Sequence, residues 1–177
     1  MLFYWMIGIV IIQRLIELVV ARRNERWMKN QGAIEAGTSH YRYMVAMHVC
    51  FFASLLAEVF YFDLSPPPIW RVWLGIFLVA QVMRVWCLVS LGKYWNTKII
   101  VLPGAHVVRR GPYKWIRHPN YVIVATELLV LPLLFNAYFT AILFTLLNIW
   151  MMAVRIPEEE EALKNATNYR DVFSMKS

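Results

Sequence analysis

The stretch PNYVIVATELLVLPLLFNAYFTAILFTLLNIWMMAV, residues 119–154, decides how this chain folds. As one helix it would run more than about 50 Å, whereas a hydrocarbon core is about 30 Å thick. Its breakers stand near the middle, at Pro132 and at Asn136-Ala137-Tyr138. Proline interrupts the helical hydrogen-bond ladder, and an Asn-centred turn reverses the chain. The economical reading is a helical hairpin of two spans of about 17 residues each, near the lower limit for crossing a bilayer.

Working outward, three more apolar runs are long enough to cross: Leu2 to Ala21, Tyr43 to Phe62 and Ile69 to Leu91. Between the second and third lies Asp63-Leu64-Ser65-Pro66-Pro67-Pro68, which cannot continue a helix and reads as a tight external turn. The first run has no basic start and no small-residue cleavage site, so it reads as an anchor that stays attached. The expected fold is therefore all-α, a polytopic membrane protein of about five transmembrane helices. Composition agrees. Hydrophobic residues make up 60% and charged residues 16%, against about 45–50% and about 25% in soluble domains. Disorder is excluded on the same grounds. Cys50 and Cys87 form no CxxC pair, so neither a disulfide framework nor a metal site is expected.

A net charge of +7 raises nucleic acid as a partner, but the distribution of the cations points to a membrane instead. Five lie in 22–42, six in 92–118 and four in the tail from Arg155 onward, 15 of the 18 in all. Five crossings with the N-terminus outside put all three segments, and the C-terminus, in the cytoplasm. The expected division is 1–91, three transmembrane helices, and 92–177, a cytoplasmic loop, the hairpin and a C-terminal cytoplasmic helix.

Arg14, Glu17, Glu58, Arg84 and Glu127 fall inside these spans. Each costs a few kcal/mol or more in hydrocarbon unless paired or wetted, so they should face inward. Internal ion pairs are the first expectation, with Arg14 and Glu17 on one helix face at i,i+3. A polar pocket is the alternative, with Glu127 the residue to watch. His48 reads as a satisfied buried histidine.

Two cytoplasmic segments are unlike ordinary loops. The first runs Gly104-Ala105-His106-Val107-Val108-Arg109-Arg110-Gly111-Pro112-Tyr113-Lys114-Trp115-Ile116-Arg117-His118-Pro119-Asn120-Tyr121. Pro119 suits the first position of a helix, and the amides and positive dipole end of that helix suit a carboxylate or phosphate. An interfacial belt of Tyr, Trp, Arg and Lys would use the same residue types. The second is Arg155-Ile156-Pro157-Glu158-Glu159-Glu160-Glu161-Ala162-Leu163. Read locally, it starts a new helix with Pro157 at its first position and acids in its first turn.

Taken together, Gly111-x-Tyr113, Arg117-His118-Pro119-x-Tyr121, a hairpin, and Arg155-x-x-x-Glu159-Glu160-x-x-Leu163 resemble the isoprenylcysteine carboxyl methyltransferase family of integral membrane methyltransferases. The resemblance covers about the C-terminal half, from Lys93 onward. It departs after Leu163, where the family often has Phe-Gly and this chain has Lys164-Asn165-Ala166 before Tyr169. The resemblance implies a cytoplasmic S-adenosyl-L-methionine pocket beneath a membrane-facing tunnel for a lipid tail. Cofactor contacts would come from His106, Val107, Val108, Tyr113, His118, Pro119, Asn120, Tyr121 and Glu159. Arg155 would hold the methyl acceptor, and Glu127 would lie on the acceptor side. No metal and no nucleic acid are implied. The implied acceptor is lipidic and enters from the bilayer, first of all the carboxylate of a prenylated cysteine. A long-chain phenol, enol or alkylpyrone hydroxyl is the alternative; it would need a base, with His118 or Glu127 the choices. A rival from another class is a small channel or membrane assembly factor, using the intramembrane charges as a pathway and the basic loop to bind anionic lipid.

Overall fold

The computed structural model describes residues 2–174. It is mostly helical, with α1 at Leu2–Lys29, α2 at Thr38–Tyr61, α3 at Trp70–Leu91, α4 at Pro119–Leu133, α5 at Tyr138–Ala166 and α6 at Tyr169–Ser174. Strands β1 (Ile34–Ala36) and β2 (Ile99–Val101) pair antiparallel, with Glu35 opposite Ile100. Among the described residues four helices are long and apolar enough to cross a membrane, namely α1, α2, α3 and α5. Helix α4 is apolar but has 15 residues, about 22 Å at ~1.5 Å per residue. Their outward side chains are large and apolar, among them Trp5, Ile9, Ile12, Phe60, Val82, Val89, Ile142 and Trp150. A lipid solvent suits them, and water does not.

Two boundaries differ from the sequence reading. Helix α1 continues past Ala21 to Lys29, so Arg22, Arg23 and Arg26 extend the helix rather than begin a loop. Helix α5 does not stop before Pro157 but encloses it, running on to Ala166. The expected new helix starting at Pro157 is therefore the continuation of the last span. Proline forfeits one backbone hydrogen bond there, but the flanking Glu, Ala, Leu and Lys residues are good helix formers that carry the helix on.

The described residues form two compact units. The first comprises 2–38, 91–108 and 158–174. Here the Asn24 side-chain amide donates to the carbonyls of Gly92 (3.1 Å) and Trp95 (2.8 Å), and the Asn96 amide donates to that of Ala21 (3.2 Å). These bonds tie the chain after α3 to the end of α1. Beside them, Lys29 Nζ lies 2.7 Å from Glu25 and 2.6 Å from Glu35, and Lys98 Nζ lies 2.8 Å from Glu25 and 3.1 Å from Glu35. The four charges close a neutral ring around the β1–β2 pair. The hydrogen bond from Lys29 holds the Glu35 carboxyl below its usual range, and the bond to Glu25 raises Lys98 above its own. Within α1, Arg14 Nη1 meets Glu17 Oε2 at 2.6 Å, the i,i+3 pair expected from the sequence.

The second unit comprises 39–90 and 109–157. Helices α2 and α5 run antiparallel in it. Ser54 meets Thr140 (2.8 Å), Phe51 packs edge-on against Phe144 (5.5 Å), and Arg155 donates to Met44 Sδ (3.1 Å). Among the described residues Glu58 pairs with no arginine. Its carboxylate instead accepts from the backbone N–H groups of Phe139 (3.0 Å) and Thr140 (2.8 Å), where the positive end of the α5 dipole stabilises it. Helices α4 and α5 are joined through Asn136, whose φ of 60° is left-handed and whose side chain donates to the Ser65 carbonyl at 3.0 Å. Arg84 and Glu127, both buried, form an ion pair through two hydrogen bonds, and Gln81 donates to Glu127 Oε1 at 2.6 Å.

Candidate functional site

The sequence-implied site residues fall in both units. In the first, His106, Val107 and Val108 lie in the irregular segment after β2. That segment is held by the chain after α5. The N–H of Gly104 donates to the Ala166 carbonyl (2.8 Å), and the N–H of Val107 donates to Asn168 Oδ1 (2.9 Å). The Asn168 amide nitrogen lies 3.3 Å from His106 Nδ1. Asn168 is kept in place by its neighbours. Tyr169 is 3% exposed and donates through its hydroxyl to Glu160 Oε1 at 3.1 Å, while Glu160 also accepts from Lys164 (3.0 Å). Of the four consecutive acids, Glu160 thus secures the C-terminal segment, and Glu159 is half-buried on the same helix.

In the second unit, Tyr113 sits in a 3-10 turn, Gly111–Lys114, and packs against Ala80, Cys87 and Ile123. The turn rests on α3. Gly111 has a φ of 55°, and a Cβ there would run into Ser90 Oγ and come 2.9 Å from Trp86 Nε1. Next to it Arg110 Nε donates to the Ser90 carbonyl at 2.6 Å. Only glycine meets both the left-handed backbone and the close approach. Gly111→Ala is expected to destabilise the protein by at least about 1–2 kcal/mol from the backbone conformation alone. The thermal unfolding midpoint in detergent measures this; an unchanged midpoint would mean that the turn accommodates a side chain.

Helix α4 begins at Pro119, as the sequence implies. His118 precedes it with no side-chain cap. Pro119 has no N–H and the Tyr121 N–H donates to the His118 carbonyl at 3.2 Å, so what this end offers a ligand is chiefly the positive end of the α4 dipole. The His118 ring stacks on Tyr121 with centroids 5.5 Å apart and planes 20° apart. The Tyr121 hydroxyl accepts from Arg155 Nε at 3.0 Å, and the guanidinium carbon lies 5.9 Å from the Tyr121 ring centre. Arg155 is 4% exposed, so it is a buried charge and not one reaching out to headgroups. The structure therefore brings His118, Tyr121 and Arg155 together, with Met44 of α2 as a contact that no motif signalled. Asn120 Oδ1 is buried and has no hydrogen-bond partner among the described residues. A buried acceptor without a donor, the positive end of a helix dipole and a stacked aromatic pair fit a ligand carrying both an ammonium and a carboxylate, as S-adenosyl-L-methionine does.

Glu127 stands apart from that group. Both of its oxygens already accept from Arg84 and Gln81. Sequence reasoning missed Asn168 altogether. Within the Lys164-Asn165-Ala166 departure from the family pattern, Asn165 is exposed, while the Ala166 carbonyl accepts from Gly104 and Asn168, beyond that departure, accepts from Val107. Among the described residues no group of three or more His, Cys, Asp and Glu side chains is placed to hold a metal ion.

Residues 73–165, just over half of the chain, match the isoprenylcysteine carboxyl methyltransferase (ICMT) family. A Bacillus subtilis (strain 168) protein named "Uncharacterized protein YpbQ" is 48% identical over 163 residues, covering 92% of this chain and 97% of its own. A Haemophilus influenzae Rd protein, named "Uncharacterized protein", is 29% identical over 153 residues, 86% of this chain and 89% of its own. No solved structure matches the chain.

Proposed function

This chain belongs to the isoprenylcysteine carboxyl methyltransferase family, a multi-pass membrane methyltransferase by that membership and by its apolar helices, and from this premise we propose that it uses S-adenosyl-L-methionine to methylate the carboxylate of a lipidic acceptor, in the first instance a prenylated cysteine. The observation that carries the proposal is the buried Arg155, held through Nε by Tyr121 beside His118 at the start of α4. When bound, the cofactor supplies an electrophilic methyl group on a sulfonium. By the family resemblance, its contacts would be His106, Val107, Val108, Tyr113, His118, Pro119, Asn120, Tyr121 and Glu159. The tyrosine faces stabilise the cation by ~0.5–2 kcal/mol, and the positive end of the α4 dipole favours its carboxylate. Glu159 accepts from its ammonium or ribose hydroxyls.

Arg155 is the residue that orients the acceptor. Its planar fork matches a carboxylate, and a carboxylate nucleophile needs alignment rather than a base. Alignment is worth up to ~7–11 kcal/mol of the barrier. The engagement of Glu127 by Arg84 and Gln81 leaves His118 as the base a hydroxyl acceptor would need, whereas a carboxylate needs none. In this reading Glu127 serves the acceptor side indirectly, by tying α4 to Arg84 and Gln81 of α3. Residues 1–91 anchor the protein, and 92–177 carry the chemistry.

Labelled methyl transfer to S-farnesylcysteine and to a long-chain phenol, followed by base hydrolysis, tests the proposal. Released labelled methanol reports an ester, and label retained as an ether overturns the carboxylate acceptor. In calorimetry with S-adenosylhomocysteine, His118→Ala and Glu159→Gln should each weaken binding about tenfold, the worth of one hydrogen bond or ring contact; unchanged affinity in both removes the site. A channel would bind no such ligand.

We also propose five crossings, α4 and α5 as a hairpin, the N-terminus outside and the active site at the cytoplasmic face. Cysteines replacing the exposed Lys114 and Asn165 should label only from the cytoplasmic side. Labelling from outside would refute this orientation.

A further inference from the structure

Asn168 meets two different groups with one amide, and the chemistry of the first dictates the second. The backbone N–H of Val107 is a donor, so the amide atom 2.9 Å from it is the carbonyl oxygen Oδ1. The remaining amide atom is then the NH₂, which can only donate. It lies 3.3 Å from His106 Nδ1, so Nδ1 must offer its lone pair. A neutral imidazole with its lone pair on Nδ1 carries its proton on Nε2. The His106 side chain is exposed, and among the described residues its Nε2 takes no partner. The arrangement is not left to one contact. The bond from Gly104 to the Ala166 carbonyl and the buried Tyr169 fix the chain on both sides of Asn168.

We propose that Asn168 is a positioning residue that holds His106 as an Nε2–H hydrogen-bond donor to an acceptor atom of the cofactor. This rests on the reading above that His106 is a cofactor contact, and it adds the polarity of that contact and the residue that sets it. The acceptor atom is a ring nitrogen or ribose oxygen of the nucleoside, or the carboxylate of the amino-acid part. The three share the same chemistry, and a probe that lacks the carboxylate separates the last from the others.

Asn168→Asp is the informative variant because it keeps the Val107 bond and reverses the other. One carboxylate oxygen still accepts from Val107 N–H. The second can only accept, so Nδ1 must now carry a proton, and in the neutral ring Nε2 loses it. A merely structural Asn168 would tolerate this change. The measurement is nitrogen NMR of histidine-labelled protein at about pH 9, above the ordinary imidazole range, with calorimetry using S-adenosylhomocysteine and methylthioadenosine. Wild type should show His106 protonated on Nε2, and Asn168→Asp should show it on Nδ1 with S-adenosylhomocysteine bound about tenfold more weakly. The same loss with methylthioadenosine puts the acceptor on the nucleoside; a loss confined to S-adenosylhomocysteine puts it on the carboxylate. Asn168→Leu should weaken binding as well, because it removes both bonds. Nδ1 already protonated in wild type, or unchanged affinity for both probes in Asn168→Asp, would overturn the proposal. If wild type bound neither probe, the cofactor reading itself would fall, and the NMR result would still report whether Asn168 sets the tautomer.

Discussion

Arg155→Lys should lower methyl transfer about 100-fold while changing affinity for S-adenosylhomocysteine little. Lysine keeps the positive charge but loses the planar, two-pronged donor that matches a carboxylate. It also loses the Nε–H that binds the Tyr121 hydroxyl at 3.0 Å, the bond that fixes the direction of the guanidinium. A displacement of the acceptor by about 1 Å costs ~10²-fold in rate. Had Arg155 merely anchored the last span in the headgroups, lysine would serve nearly as well; its 4% exposure argues against that role. A third role, pairing with Glu159 to shape the cofactor site, predicts that both single variants lose cofactor affinity and that the double variant is less than additive. Tyr121→Phe keeps the ring stacked on His118 and removes only the hydroxyl, so it should reproduce part of the rate loss. Single-turnover transfer of a labelled methyl group reads all four variants. Wild-type rates in Arg155→Lys would end the assignment.

The second large effect is on stability. Arg84→Leu and Glu127→Leu should each destabilise the protein by ~3–5 kcal/mol, because each leaves one buried charge without its partner. The side chains of Arg84 and Glu127 are 5% and 9% exposed, so solvent cannot compensate. The double variant, which removes both charges together, should recover much of the loss and can match wild type. Reversible unfolding in mixed micelles measures the cycle. Additive losses, or single variants within about 0.5 kcal/mol of wild type, would show that the pair does not stabilise the fold.

The motif residues were legible early because their spacing along the chain is itself the signal. Gly111-x-Tyr113, Arg117-His118-Pro119-x-Tyr121 and the arginine-to-glutamate spacing need no fold to be seen. Their partners were not legible. Gly111 is required by Ser90 and Trp86 on a helix about twenty residues earlier, and Tyr121 meets Arg155 from 34 residues away. Asn168 belongs to no motif and sits 61 residues from the amide it binds.

The sequence by itself determined the apolar helices, the break between α4 and α5, Pro119 at the start of α4 and the Arg14–Glu17 pair. All of these depend on residues within a turn or two of one another, through propensity, hydropathy and i,i+3 geometry. Tertiary structure decided where the remaining charges went. Glu127 found Arg84, 43 residues earlier, and Glu58 found the amides of α5, 81 and 82 residues later. It also set β1 against β2, two three-residue strands too short to announce themselves. The reason is physical. A charge in an apolar span must be neutralised, which composition alone foretells, but which group neutralises it depends on how helices far apart in the chain pack side by side.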